Sequence, residues 1–239
     1  MDVESFQFNE WLDSNIFAEK TVVVIDVFRA TSVITTALAH GAQAIYTVHT
    51  VEKAMELASI HPNSILGGER KMIKPTYFDC GNSPQEYFDC SGKNIILTTT
   101  NGTAALEKAK LSKITFAASL LNATQVAEEL LDNHINVCML LSGRSGTFAL
   151  EDAICAGKII NFLCDKSDPF LDDFSHNLLI LYRSYQHQIE DCLKASSAFH
   201  RLHDRGFADD VEFCKQEDIY PILPVCSRFE NHLKITQKR

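Results

Sequence analysis

Asp26, Arg29, Thr31 and Ser32 stand together in the stretch VVVIDVFRATS, so a carboxylate, a guanidinium and two hydroxyls share one short segment. The same residue types recur at Gly68-Glu69-Arg70, at Thr98-Thr99-Thr100-Asn101-Gly102-Thr103, and at Ser142-Gly143-Arg144-Ser145-Gly146-Thr147 with Glu151 and Asp152 just beyond. Arginines grip phosphate or sulfonate oxygens, while carboxylates hold a hard cation that offsets the anion's charge. The chemistry this favours is hydrolysis of a phosphate ester by a metal-activated water, because a divalent cation both neutralises phosphate and lowers the pKa of water. Asp26, Glu69 and one of Glu151 or Asp152 are the expected ligands, and hard oxygen donors favour Mg²⁺.

Other mechanisms find no support. GxxxxGK[ST] and GxGxxG are absent, so nothing specific points to a nucleotide. Cys138 and Arg144 stand in a Cys-x5-Arg relation, but Met139, Leu140 and Leu141 continue a buried strand where a thiolate cradle needs exposed N–H groups. An aspartyl-phosphate mechanism needs a second aspartate two residues after Asp26, and that position is Phe28. No histidine falls in these junctions. The eight cysteines make no CxxC pair or metal-ligand cluster, and all are expected to be reduced.

The elements that position these groups follow from periodicity. Val22 to Ile25 with Val27 reads as a strand buried on both faces, and Val33, Ile34, Ala37 and Leu38 recur at helical spacing, with Thr31 or Ser32 as the N-cap. Asp26 thus falls at the carboxyl end of a central strand, where open α/β sheets place ligands. Further strands are expected at 44–48, 64–67, 93–97, 114–117 and 135–141, with helices between, the first of them opened by Thr50. The segment from Gly68 to Pro84 has no sustained period and reads as a functional loop. Glu151 and Asp152 are expected about two turns into their helix.

Residues 1–20 read as an amphipathic start, with Phe6, Phe8, Trp11, Leu12 and Phe17 packing on the first strand. Beyond Phe162 the pattern is helical. Tyr220 to Val225, carrying two prolines, is expected to be an edge strand or extended tail, and KITQKR a solvated end. The unit around Arg144 echoes the one around Arg29. This suggests one α/β domain over 1–239, three-layer αβα with a mostly parallel or mixed sheet, and a weak duplication of halves at about 20–118 and 119–230.

The bulk properties narrow the partners. With 239 residues, 46% of them hydrophobic, the chain can bury a large core. A net charge of -9 without a basic cluster argues against nucleic acid and anionic membranes. No run approaches the roughly 18 apolar residues that span a bilayer, and MDVESFQFNE lacks the marks of a signal peptide, so the cytoplasm is expected. An anionic substrate then needs local positive charge, for which Arg29, Arg70, Lys71, Lys74, Arg144 and helix N-termini are available. A homo-oligomer is compatible with this composition.

Taken in order, DVFRATS at 26–32, GER at 68–70, GNSP at 81–84, TTTNGT at 98–103 and SGRSGTFALED at 142–152 resemble the 2-phosphosulfolactate phosphatase family, and DDVEFC at 209–214 extends the similarity. The resemblance implies a three-layer α/β protein and Mg²⁺-dependent hydrolysis of 2-phospho-3-sulfolactate to 3-sulfolactate and phosphate, in the manner of coenzyme M biosynthesis. With the residues, it places Asp26, Glu69 and Arg144 in catalysis, and Asp26, Glu69, Glu151 and Asp152 around the metal. Arg29, Arg70 and Arg144 would clamp the anionic oxygens, helped by Thr31, Ser32, Ser83, Asn101, Gly102, Ser142 and Gly143. Two other functions fit the same residues: a phosphatase for another small anionic 2-phospho acid, and a non-catalytic binder of a small sulfonate or phosphate metabolite.

Overall fold

The computed structural model describes residues 1–133, 136–230 and 232–238. Ten strands form one mixed sheet: β1 (Asp2–Gln7), β2 (Thr21–Ile25), β3 (Ala44–Thr47), β4 (Ser64–Gly68), β5 (Asn94–Thr98), β6 (Ile114–Ala118), β7 (Val137–Leu141), β8 (Phe170–Leu171), β9 (Pro224–Phe229) and β10 (His232–Gln237). The helices among the described residues are α1 (Ala30–Ala39), α2 (Val51–Ile60), α3 (Gly102–Lys108), α4 (Ala123–Asn133), α5 (Leu150–Lys166), α6 (Asp173–Tyr185), α7 (Ile189–Lys194), α8 (Ser197–Asp204) and α9 (Ala208–Cys214). None is long and apolar enough to cross a membrane. All eight cysteines are free, and burial pushes the Cys138 thiol up to about 12, as a packed core residue requires.

β2 shows why the architecture has three layers. All five of its residues are buried, and the period-2 alternation of a strand divides them between two cores. Val23 and Ile25 pack with Met139, Leu141 and the apolar side of α5; Val22 and Val24 pack with Leu140, Ile34 and Ala37 on the other face. A continuous apolar run in the sequence is what such two-sided burial needs.

The strand order is β4-β5-β3-β10-β9-β6-β2-β7-β1-β8. Parallel pairing holds within β4-β5-β3 and within β6-β2-β7-β1-β8, while β10 and β9 join them by antiparallel ladders. The two parallel blocks therefore run in opposite directions. Over so many strands the handed twist coils the sheet, and α1 lies in the bend with nine of its ten residues buried.

Both chain ends differ in part from expectation. Phe6, Phe8, Leu12 and Phe17 pack in the core with Val22 and Val24 as expected, but Trp11 is 92% exposed and residues 2–7 form a strand hydrogen-bonded to β7. The two-proline segment leads into β9, which is interior. Pro224 is tolerated because it is the strand's first residue. Of KITQKR, expected as a solvated tail, Lys234 to Gln237 contribute most of β10, because Leu233 and Ile235 supply the alternating apolar face buried in the core. β7 begins at Val137; Ile135, expected as its first residue, lies outside the described residues. Glu151 and Asp152 sit in the first turn of α5, not two turns in, because the helix begins only at Leu150.

If β10 ties the two blocks together, Ile235→Ala should cost about 2–5 kcal/mol in urea unfolding. A loss below about 0.5 kcal/mol, the value for a surface tail, would contradict this placement.

Candidate active site

A cavity of about 450 Å³ opens where the carboxyl ends of β2, β4, β5 and β7 meet, with α8 as a further wall. Asp26, Glu69, Glu151 and Asp152 all line it, together with Arg29, Asn101, Gly143 and Arg144. Strands from two opposed blocks thus deliver Asp26 and Glu69, and the first turn of α5 delivers Glu151 and Asp152, to one cleft.

Asp26 directly follows β2, and its immediate neighbours are committed to holding it. The Thr31 hydroxyl accepts from the Asp26 N–H at 2.9 Å and donates to the Asp26 carbonyl at 2.7 Å. Ser32 donates to the Val27 carbonyl at 2.7 Å. Both are fully buried. Thr31 and Ser32 therefore clamp the turn instead of contacting a ligand, and the N-cap is Arg29, without a side-chain bond. Ser142 is likewise behind the site, its hydroxyl donating to Asp26 Oδ2 at 3.2 Å. Gly102 supports Asp26 by absence: a Cβ there would lie 2.6 Å from Asp26 Oδ2 and 2.4 Å from the Ala30 Cβ.

Glu69 links the loops after β4 and β5. Its Oε1 accepts from the Thr100 N–H at 2.7 Å, and Oε2 accepts from the Met72 N–H at 2.7 Å and the Thr100 hydroxyl at 3.1 Å. Asp152 accepts from the N–H groups of Val27 and Gly143, each at 2.8 Å, and so stitches the end of β2 to the loop after β7. Gly143 has φ +57, and a Cβ there would run into Gln7 and the Thr147 carbonyl, which makes glycine the fitting residue in that loop.

Three other expected substrate contacts have different partners. Arg70 donates to the carbonyls of Glu69 and His49 and to the Thr98 hydroxyl, so it braces strand ends outside the cleft. Arg29 lines the cleft but is buried in an ion pair with Asp210, its guanidinium 4.3 Å from the centre of the Phe207 ring. Ser83 donates to the same Asp210 carboxylate at 2.8 Å and does not line the cleft. In each case a carbonyl or carboxylate of the protein takes a donor that a ligand was expected to use.

Thr99 and Thr100 of the Thr98–Thr103 junction and Asn82 of GNSP line the cleft too, and it also holds two arginines not singled out from the sequence. Arg201 comes from α8, where Ala198 and Leu202 face inward, and Arg205 directly follows the helix; two arginines four apart beside buried apolar positions were the available signal.

Asp26, Glu151 and Asp152 are raised above the ordinary carboxylate range. Burial raises Asp26 to about 6, assisted by the Glu69 charge and opposed by the Ala30 N–H, the Ser142 hydroxyl and Arg29. Burial raises Glu151 to about 7, again with Asp26 adding to the rise and Ser196 and Arg201 among the groups opposing it. Asp152 is raised well above the carboxylate range by burial and then by Asp26 and Glu151. Among the described residues, no three His, Cys, Asp or Glu side chains form a ready-made metal cage.

A sequence model of the 2-phosphosulpholactate phosphatase family matches residues 8–228. The chain belongs to this family. Proteins named "Probable 2-phosphosulfolactate phosphatase" resemble this family member over most of their length. That of Carboxydothermus hydrogenoformans is 41% identical over 221 residues, covering 92% of each chain. That of Clostridium botulinum strain Eklund 17B is 38% identical across 90% of this chain and 92% of its own. That of Pseudothermotoga lettingae is 40% identical across 90% and 93%.

Because the folded protein holds the Asp26 proton more tightly than the unfolded chain, Asp26 favours folding fully below about pH 4. It loses that contribution as pH rises through about 6. In chelator, Asp26→Asn should therefore be more stable than the parent at pH 8, by about 1–3 kcal/mol, with no such gain at pH 4. Melting curves at the two pH values check this; a variant less stable at pH 8 contradicts it. Gly102→Ala should cost about 1–3 kcal/mol by overpacking against Asp26 and Ala30, read by urea unfolding.

Proposed function

We propose that the protein hydrolyses the phosphate ester of 2-phospho-3-sulfolactate to 3-sulfolactate and phosphate, with Mg²⁺ as cofactor, in the cytoplasm and in the manner of coenzyme M biosynthesis. The observation that supports this most is the convergence of Asp26, Glu69, Glu151 and Asp152 on a cleft that also carries Arg144 and Arg201. Family membership points the same way.

The donor set suits Mg²⁺. This ion is commonly held by one or two carboxylates plus substrate oxygens and waters, so a protein cage of three acids is not required. Asp26 and Glu69 are the residues that would hold it, with Glu151 adjacent; Asp152 has both oxygens committed to backbone N–H groups. When bound, the ion would offset phosphate charge and acidify a water.

The protein's own groups do the positioning. The Thr31 and Ser142 hydroxyls and the close approach of Gly102 fix Asp26, so it need not reorganise as charge moves. The Thr100 and Met72 N–H groups fix Glu69. Glu151, raised to about 7, can carry a proton near neutrality and pass it to the departing alkoxide. Arg144 stabilises the phosphoryl oxygens, since phosphoryl transfer depends mainly on positioning and charge.

Phosphate release from a panel of 2-phospho acids, with Mg²⁺ or with chelator, tests the reading. We expect 2-phospho-3-sulfolactate to be the fastest, chelator to abolish release, and Asp26→Asn to lower kcat at least about 100-fold. Undiminished release in chelator, a near-normal Asp26→Asn rate, or binding without turnover would overturn it.

A further inference from the structure

The arginines of this chain divide by what they hold. Arg29 and Arg183 face carboxylates, while Arg70, Arg205 and Arg228 donate to backbone carbonyls. Among the described residues, the Arg144 and Arg201 guanidiniums have neither kind of partner, and both line the active-site cleft. They are near enough that the Arg144 charge, after burial, lowers the Arg201 pKa, opposed by Glu151. In a chain of net charge -9, two unpaired like charges facing one opening form a local repulsion that a bound anion relieves.

Arg201 is also well placed mechanically. Ala198 and Leu202 are buried and seat α8. The Ser196 hydroxyl accepts from the Phe199 N–H at 3.0 Å to cap the helix, and Arg205 donates to the Lys71 carbonyl at 2.9 Å, fastening α8 to the loop after β4. A guanidinium on a fixed helix can meet a tetrahedral oxyanion with two parallel N–H bonds.

We propose that Arg201, standing beside the phosphoryl-binding Arg144, binds the sulfonate of the substrate and is the residue that sets specificity for a sulfonated over a plain 2-phospho acid. This rests on the hydrolysis reading above. The phosphate needs the carboxylate floor, where a cation can be held. A sulfonate is a permanent anion and a weak metal ligand; it fits the α8 wall, which offers guanidinium groups.

The test compares Arg201→Gln with the parent on two substrates, 2-phospho-3-sulfolactate and 2-phospholactate, which keeps the phosphate and carboxylate but lacks the sulfonate. The variant should raise KM for the first about 10- to 100-fold and leave kcat/KM for the second within about threefold. Equal losses on both substrates would assign Arg201 to the shared phosphate or carboxylate, and no loss on either would remove it from recognition; both outcomes overturn the proposal. Calorimetric titration of 3-sulfolactate, with lactate as control, separates this from the reaction itself. If the parent binds 3-sulfolactate and Arg201→Gln does not, the sulfonate site stands even without phosphate release. If binding is unchanged while hydrolysis proceeds, the site fails and the reaction stands.

Discussion

Four acidic side chains, Asp26, Glu69, Glu151 and Asp152, share one cleft, and three of them titrate well above their ordinary range. Burial and mutual repulsion both disfavour their charged forms, so the fold must hold them there against electrostatics. It does so with backbone donors: Val27 and Gly143 to Asp152, Thr100 and Met72 to Glu69, Ala30 to Asp26. The bonds to Asp152 and the Thr100 bond to Glu69 also join the ends of different elements. The groups that restrain the charges are thus the same groups that give the cleft its shape.

The sheet's reversal is what makes this possible. β9 and β10 turn the direction of pairing, so that β4 and β5 run opposite to β2 and β7. A flat sheet would send the carboxyl ends of these blocks to opposite sides. Coiling around the buried α1 brings them face to face, and Glu69 from one block comes to act on Asp26 from the other. An interior position for the last strand is therefore a functional matter as well as a structural one.

Much of this was legible in the sequence, and the rest was not, for identifiable reasons. β2 announced itself because burial on both faces demands an unbroken apolar run; Asp26, Glu69 and Arg144 followed from strand-end position and charge, and Glu151 and Asp152 from the acidic helix after β7. Thr31, Ser32, Arg70 and Ser83 carry the right chemistry, yet nearby backbone carbonyls and the carboxylate of Asp210 occupy their donors. Spacing cannot show whether a donor is already taken. Arg201 was missed for the opposite reason: its helix lies far along the chain, and only tertiary packing brings it to the cleft. The tail was misread because a short alternating segment ending in charged residues looks the same solvated or paired until its partner strands are known.

As proposed above, Asp26 and Glu69, delivered by opposed strands, would grip one cation beside the substrate. Crystals soaked with Mn²⁺ and 3-sulfolactate, measured for anomalous scattering, test this most directly. A single strong peak between the two carboxylates, with the ligand beside it, is expected; a cation bound elsewhere, or the ligand bound with no peak at these side chains, would contradict the shared grip.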